Sequence, residues 1–278
     1  MTNHLKDRVI IVTGAAGGFG RQICELAAAR GARIIGADIE TAALSATIDA
    51  ISASGGIAIG QIADVRRSSD MDALVAHTVE HFGQVDVLVN NAGTMPLAFF
   101  ADHAQAREAW DRCIDINFKG VLNGITAVHD QMIQQGRGQV VNISSIYGNV
   151  ATVGAAVYTA TKAAVNVLSD TLRAESQGRI KVTNVRPTGV PGTGLGSGII
   201  NGAGITGILG RNFEQYVELI AASMSDELPP SRTDPDSIEY WAITPEQLAE
   251  AVVHAIDQPW GVSISDITVR ASGDLFLF

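Results

Sequence analysis

The chain has 278 residues, 46% of them hydrophobic and 17% charged; this balance excludes a disordered polymer, and the length suffices to bury a sizeable core. A formal net charge of −10 argues against nucleic acid or an anionic membrane surface as a partner, because both need clustered Lys and Arg. With only Cys24 and Cys113 present, no disulfide framework is expected, and each reads as a small buried hydrophobe on a helix.

The opening MTNHLKDRVIIVTG carries no apolar signal region with a cleavage site, so a cytoplasmic protein is expected. Apolar runs rich in Val and Ile then recur as predicted strands: Val9–Val12, Arg33–Ala37, Ile57–Ile62, Val85–Val89, Gln139–Ile143, Ile180–Val185 and Ile264–Val269. They are continuous rather than alternating, as expected of parallel strands covered on both faces. Between them lie Ala-rich segments of helical period, including Arg21–Arg30, Met71–Phe82 and Val157–Ser176. Alternating strands and helices predict an α/β fold, a single Rossmann-type doubly wound parallel sheet of about seven strands with helices on both faces, occupying 1–278 as one domain. Pro187 to Gly210 holds no charged residue and is dominated by Gly and Pro, which excludes a membrane span. A mobile flap over a binding site is expected there, reaching to about 240 and including a helix at Asn212–Met224.

The first predicted strand ends in Thr13-Gly14-Ala15-Ala16-Gly17-Gly18-Phe19-Gly20 and enters a helix. Glycines here permit a tight turn and let backbone N–H groups approach a pyrophosphate at the helix N-terminus. The second strand ends at Asp38, followed by Ile39. A carboxylate there can accept hydrogen bonds from both adenosine ribose hydroxyls and would repel a 2′-phosphate, so NAD(H) is expected in preference to NADP(H). The bland reading is that Asp38 caps the following turn. Asp64, before Val65, closes the third strand as a candidate partner for the adenine amino group, and Asn91-Ala92-Gly93 forms a small-residue turn after the fourth.

Tyr158 and Lys162 are i, i+4 neighbours on one helix face. A phenol of pKa about 10 is no base at neutral pH, and lowering it to about 7 needs roughly 4 kcal/mol of preferential stabilisation of the phenolate. Lys162, the positive ring of the cofactor and a hydroxyl donor from Ser145 could supply this together.

In order and spacing, TGAAGGFG, Asp64-Val65, Asn90-Asn91-Ala92-Gly93, Asn117, Ser144-Ser145 and YTATK resemble the short-chain dehydrogenase/reductase family, in its shorter single-domain branch. The resemblance implies that Tyr158 is the general acid/base and that Ser145, chosen over Ser144 by its separation from Tyr158, orients the substrate oxygen. It implies that Lys162 lowers the Tyr158 pKa and binds the nicotinamide ribose, and that Asn117 anchors a water in the proton relay. The family usually has Pro-Gly and then a Thr contacting the nicotinamide carboxamide; here Pro187-Thr188-Gly189 departs, leaving Thr188 or Thr193 for that role. The substrate pocket is expected to involve Met95, Ile146, Tyr147, Val150, Thr188 and the flap, and to favour an uncharged, moderately apolar alcohol or ketone. A homodimer or homotetramer is implied, with helices Trp110–Gln135 and Val157–Ser176 at an interface. The activity expected is interconversion of a secondary alcohol and a ketone.

Two rivals come from other classes. His77-Thr78-Val79-Glu80-His81 matches HxxEH, the pattern of a zinc metallohydrolase; however, it precedes the strand before NNAG, where a dinucleotide fold places an outer helix, so no metal is expected. A non-catalytic dinucleotide sensor would often lack the Tyr or the Lys, and both are present.

Overall fold

The computed structural model describes residues 3–278. Strands β1 (Val9–Thr13), β2 (Arg33–Asp38), β3 (Ile57–Ile62), β4 (Val87–Asn90), β5 (Gly138–Ile143), β6 (Ile180–Pro187) and β7 (Asp266–Val269) form one sheet. Its order is β3-β2-β1-β4-β5-β6-β7, and every pairing is parallel. Helices α1 (Gly18–Ala29), α2 (Thr41–Ala53), α3 (Ser68–Phe82), α4 (His103–Cys113), α5 (Gly120–Gln135) and α6 (Ala156–Glu175) fill the crossovers. Then come α7 (Thr206–Leu209), α8 (Phe213–Met224), α9 (Pro230–Thr233) and α10 (Pro245–Ile256). Strand order reverses between β1 and β4, so the crevice beyond their carboxyl ends is where such a sheet binds ligands.

β1, β4 and β5 bury every residue, because helices cover both faces. On one face Ile10, Val12, Val87 and Val89 meet Ile23 and Ala27 of α1 and Leu248, Val252 and Val253 of α10. On the other, Ile11, Leu88, Val140 and Val182 meet Leu74 of α3, Ile125 and Val128 of α5, and Val165 of α6. The covering thins at both edges: β7 buries none of its residues, and β3 leaves Ile57 53% and Ile62 49% exposed. An apolar run therefore signalled a strand there but not its burial.

Several boundaries move, among them β6, which runs on to Pro187, and β7, which starts at Asp266; three have local reasons. β4 starts at Val87 rather than Val85, whose N–H donates to Gln135 Oε1 (3.0 Å) while its carbonyl accepts from Gln135 Nε2 (2.9 Å). Helix α1 starts at Gly18, so the glycine turn is its first turn. The expected run Trp110–Gln135 divides into α4 and α5 around a wider π-type turn at Ile114–Lys119, a distortion frequent at functional sites. Among the described residues no helix is long and apolar enough to cross a membrane.

Leu248, fully buried where α10 lies on the sheet and α1, tests this packing. Leu248→Ala is expected to lower stability by about 2–5 kcal/mol in urea unfolding followed by far-ultraviolet circular dichroism; an unshifted midpoint would contradict the assigned core.

Candidate active site

The turn after β1 is fixed by backbone contact. A Cβ on Gly20 would lie 2.0 Å from the Gly14 carbonyl oxygen and 2.7 Å from Asn91 Nδ2, so only glycine lets α1 sit this close. Gly18 adopts φ +51°, a conformation glycine takes without strain. Asn91 joins this turn to the one after β4: its Nδ2 donates to the carbonyls of Thr13 (2.8 Å) and Gly14 (3.2 Å). The backbone amides of Asn91 and Ala92 donate to Thr13 Oγ1 at 3.0 and 3.1 Å. Gly17 caps α1 without a side-chain acceptor, and the first turn holds no acidic residue. Its N–H groups are thus available to an anion, and the residues fit a dinucleotide pyrophosphate.

Asp38 caps the turn that follows β2 and also reaches the glycine turn. Its Oδ1 accepts from the amides of Ile39 (2.7 Å) and Glu40 (3.1 Å), while Oδ2 accepts from Ala16 N (2.9 Å) in the glycine turn. Asp64 is gripped by the Arg66 guanidinium, whose Nε lies 2.9 Å from both carboxylate oxygens. That hydrogen bonding holds the Asp64 carboxyl below its ordinary pKa.

Tyr158, Lys162, Val165 and Ser169 share the buried stripe of α6. Lys162 Nζ donates to the Ile143 carbonyl at 2.7 Å and lies 5.7 Å from the centroid of the Tyr158 ring. Ser144 Oγ donates to Asn166 Oδ1 at 2.7 Å, which commits it to holding α6. Ser145 faces the cavity beside Tyr158, its Oγ accepting from Tyr147 N at 3.2 Å. Burial raises the Tyr158 phenol above its ordinary pKa, against the opposing effect of the Ser145 side chain. Burial also pushes Lys162 down, to about 8, with Cys113 opposing. The expected lowering of Tyr158 is therefore not what the protein alone produces: both groups are driven toward neutrality by desolvation.

One cavity of about 730 Å³, within the range of small-molecule sites, gathers most of the expected residues. Gly14, Gly17, Gly18, Phe19, Asn91, Ala92 and Gly93 line one end; Pro187, Thr188 and Gly189 continue it. Met95, Ser145, Ile146, Tyr147, Tyr158 and Lys162 line the rest. Gly20, Asp38, Ile39, Asp64, Val65, Asn117 and Val150 lie outside this lining. Asn117 sits in the π-type turn, its Oδ1 accepting from Thr94 N (2.9 Å) and its Nδ2 donating to Thr94 O (2.8 Å). The Thr188 hydroxyl is buried without a partner, whereas Thr193 Oγ1 donates to the Val190 carbonyl at 3.3 Å. The expected flap forms the outer wall through Ile199, Ile205, Phe213, Tyr216 and Ile220.

Phe276 also lines the cavity and was missed; the only signal was the apolar run Leu275–Phe278 after Asp274, far from every motif. His77, Glu80 and His81 bring their ligand atoms within 4.8 Å of one another. They stand on α3, and none of them lines the cavity that holds Tyr158.

The family model for short chain dehydrogenases matches residues 8–207. An oxidoreductase of Listeria monocytogenes is 34% identical over 272 residues, covering 95% of this chain and 96% of that protein. Another, from Staphylococcus saprophyticus, is 31% identical, covering 97% of this chain and 98% of its own. A short chain dehydrogenase/reductase from Burkholderia phymatum, solved in complex with NAD, is 25% identical with a TM-score of 0.74, over 96% of this chain and 90% of that one. The alcohol dehydrogenase of the archaeon Thermococcus sibiricus, complexed with 5-hydroxy-NADP, shares the fold at a TM-score of 0.77 and 20% identity, over 96% of this chain and 98% of that one. With the family's motifs set at the carboxyl ends of a seven-stranded parallel sheet, the chain belongs to the short-chain dehydrogenase family of oxidoreductases.

Proposed function

We propose that the protein interconverts a secondary alcohol and the corresponding ketone with NAD(H), Tyr158 acting as general acid/base. The observation that carries this reading is the convergence of Ser145, Tyr158 and Lys162 with the glycine turn in one cavity. When bound, NAD(H) supplies or accepts the hydride at its nicotinamide ring. The α1 amides receive the pyrophosphate, Asp38 the ribose hydroxyls, and Ile39, Asp64 and Val65 flank the adenine end. Thr188 takes the carboxamide contact, because its buried hydroxyl has no other partner and that of Thr193 has one.

Ser145 orients the substrate oxygen and Tyr158 exchanges its proton. Burial keeps Tyr158 protonated, the state from which it donates in ketone reduction, while opposing the phenolate that donation leaves. In the oxidative direction Tyr158 must accept a proton, and the positive charge of Lys162 opposes the burial effect. With a pKa of about 8, Lys162 is still mostly an ammonium at pH 7. Asn117 supports the site from behind, holding the backbone of Thr94 beside Met95. Met95, Ile146 and Tyr147 border the substrate. An interface of a homodimer or homotetramer is assigned to α4, α5 and α6, which leave Ile114, Leu122 and Val167 exposed at or beside them.

Tyr158→Phe is expected to cut turnover about a hundredfold to ten-thousandfold in initial-rate absorbance of reduced nicotinamide, with NAD binding retained. Full activity would remove Tyr158 from the chemistry, and NAD binding without turnover in the wild type would mark a sensor. Gly20→Ala is expected to abolish NAD binding in calorimetric titration, since its Cβ has no room against Gly14; unchanged affinity would displace the cofactor from this turn. In sedimentation equilibrium a dimeric or tetrameric mass is expected, and a monomer would overturn the interface.

A further inference from the structure

We propose that Phe276 determines substrate specificity, and that the substrate is a bulky, uncharged ketone or secondary alcohol bearing an aryl or alicyclic group. This rests on the alcohol/ketone reading above.

Phe276 is 9% exposed and lines the cavity. Its ring lies so close to the turn after β6 that a Cβ on Gly189 would meet Phe276 Cζ at 2.6 Å. The ring of Tyr216 stands edge-on to it, centroids 5.7 Å apart. The segment 274–278 is held from two sides. Leu277 N donates to the Ile208 carbonyl (3.0 Å) and Asn212 Nδ2 to the Leu275 carbonyl (2.8 Å), on the flap side. On the β7 side Arg270 Nη2 donates to the Phe276 carbonyl (2.8 Å) and pairs with Asp274 at 2.6 Å, whose side chain is 2% exposed. Phe276 is thus a fixed wall between the turn at Thr188 and the flap.

The chemistry of the chamber follows from what lines it. Among the described residues Lys162 is the one charged side chain in the lining, and it is committed to the Ile143 carbonyl. No carboxylate or guanidinium of the described residues faces the space, so a charged substrate would lose its hydration without gaining a partner. Met95, Ile199, Ile205, Phe213, Tyr216 and Phe276 form the walls instead. Aromatic walls gain most from a ring they can meet edge to face, and an aliphatic ketone offers them none.

The test compares butan-2-one, acetophenone and 2-acetylnaphthalene with reduced NAD in the wild type, Phe276→Ala and Phe276→Leu. In the wild type kcat/KM is expected to be at least about tenfold higher for acetophenone than for butan-2-one, and Phe276→Ala to reduce that ratio at least about tenfold while shifting preference toward 2-acetylnaphthalene. Phe276→Leu, which keeps bulk and loses the ring, should fall between them; it decides the question alone if the alanine variant does not fold by circular dichroism. Calorimetric titration of acetophenone reads the chamber without turnover, and Phe276→Ala should weaken that binding at least about fivefold. If no ketone is turned over but acetophenone binding still depends on Phe276, the alcohol/ketone reading fails and the chamber assignment stands. If turnover occurs with a selectivity that ignores both substitutions, the assignment of Phe276 is overturned and the reaction stands.

Discussion

The site depends on a buried polar ladder that fixes where α6 lies along the sheet. Asn90 Nδ2 donates to Asn142 Oδ1 (2.8 Å), Asn142 Nδ2 to Ser169 Oγ (2.8 Å), and Ser169 Oγ to Asn184 Oδ1 (2.6 Å). These side chains come from β4, β5, α6 and β6, and Asn142, Ser169 and Asn184 are fully buried. Apolar contact is non-directional and tolerates sliding; a buried hydrogen-bond network does not, because each broken member leaves an unsatisfied group at low dielectric. Ser169 occupies the same helical stripe as Lys162 and Tyr158. Bonding Ser169 to β5 and β6, and through Asn142 to β4, therefore fixes Tyr158 and Lys162 at the carboxyl ends of the sheet, and Ser144 with Asn166 repeats the constraint one layer nearer the cavity.

That placement has an electrostatic consequence. The stripe that buries Ser169 also buries Tyr158 and Lys162, and desolvation drives the phenol up and the ammonium down. A spacing argument from i, i+4 neighbours predicts mutual stabilisation of opposite charges; burial works against both charges at once. Burial keeps the phenol protonated, the state from which a ketone would be reduced, yet it also opposes the phenolate that donation leaves, so the proposed chemistry needs compensating charge in either direction.

Legibility in the sequence follows from the range of the interactions involved. The strands showed as Val- and Ile-rich runs, because a strand covered on both faces must be apolar throughout; edge strand β3 shows the limit, carrying Ile57 and Ile62 into solvent. The glycine turn was legible because close backbone approach leaves no alternative to glycine at positions such as Gly20. Ser145, Tyr158 and Lys162 were legible as a spaced set of chemical groups. Asn142, by contrast, carried no readable signal, since its partners Asn90 and Ser169 are distant in sequence and ordinary in type. Nor does any spacing encode that the Thr188 hydroxyl is left without a partner while that of Thr193 has one.

The two ends of the cavity are built by different physics, and this explains why one is predictable and the other is not. The glycine-turn end is made of backbone groups whose positions are set by local conformation and by Asn91, so a short motif specifies it. The Phe276 end is made of side chains delivered by α8, by loops and by a segment arriving from beyond β7, held through Arg270, Asn212 and Leu277. Nothing in that arrangement requires a particular residue type at a particular spacing. It requires only that apolar surface meet there and that its supporting backbone be anchored. A fold organised in this way can keep its reaction constant while the chamber changes by one aromatic side chain, because the wall contributed by Phe276 shares no hydrogen bond with the ladder that positions Tyr158.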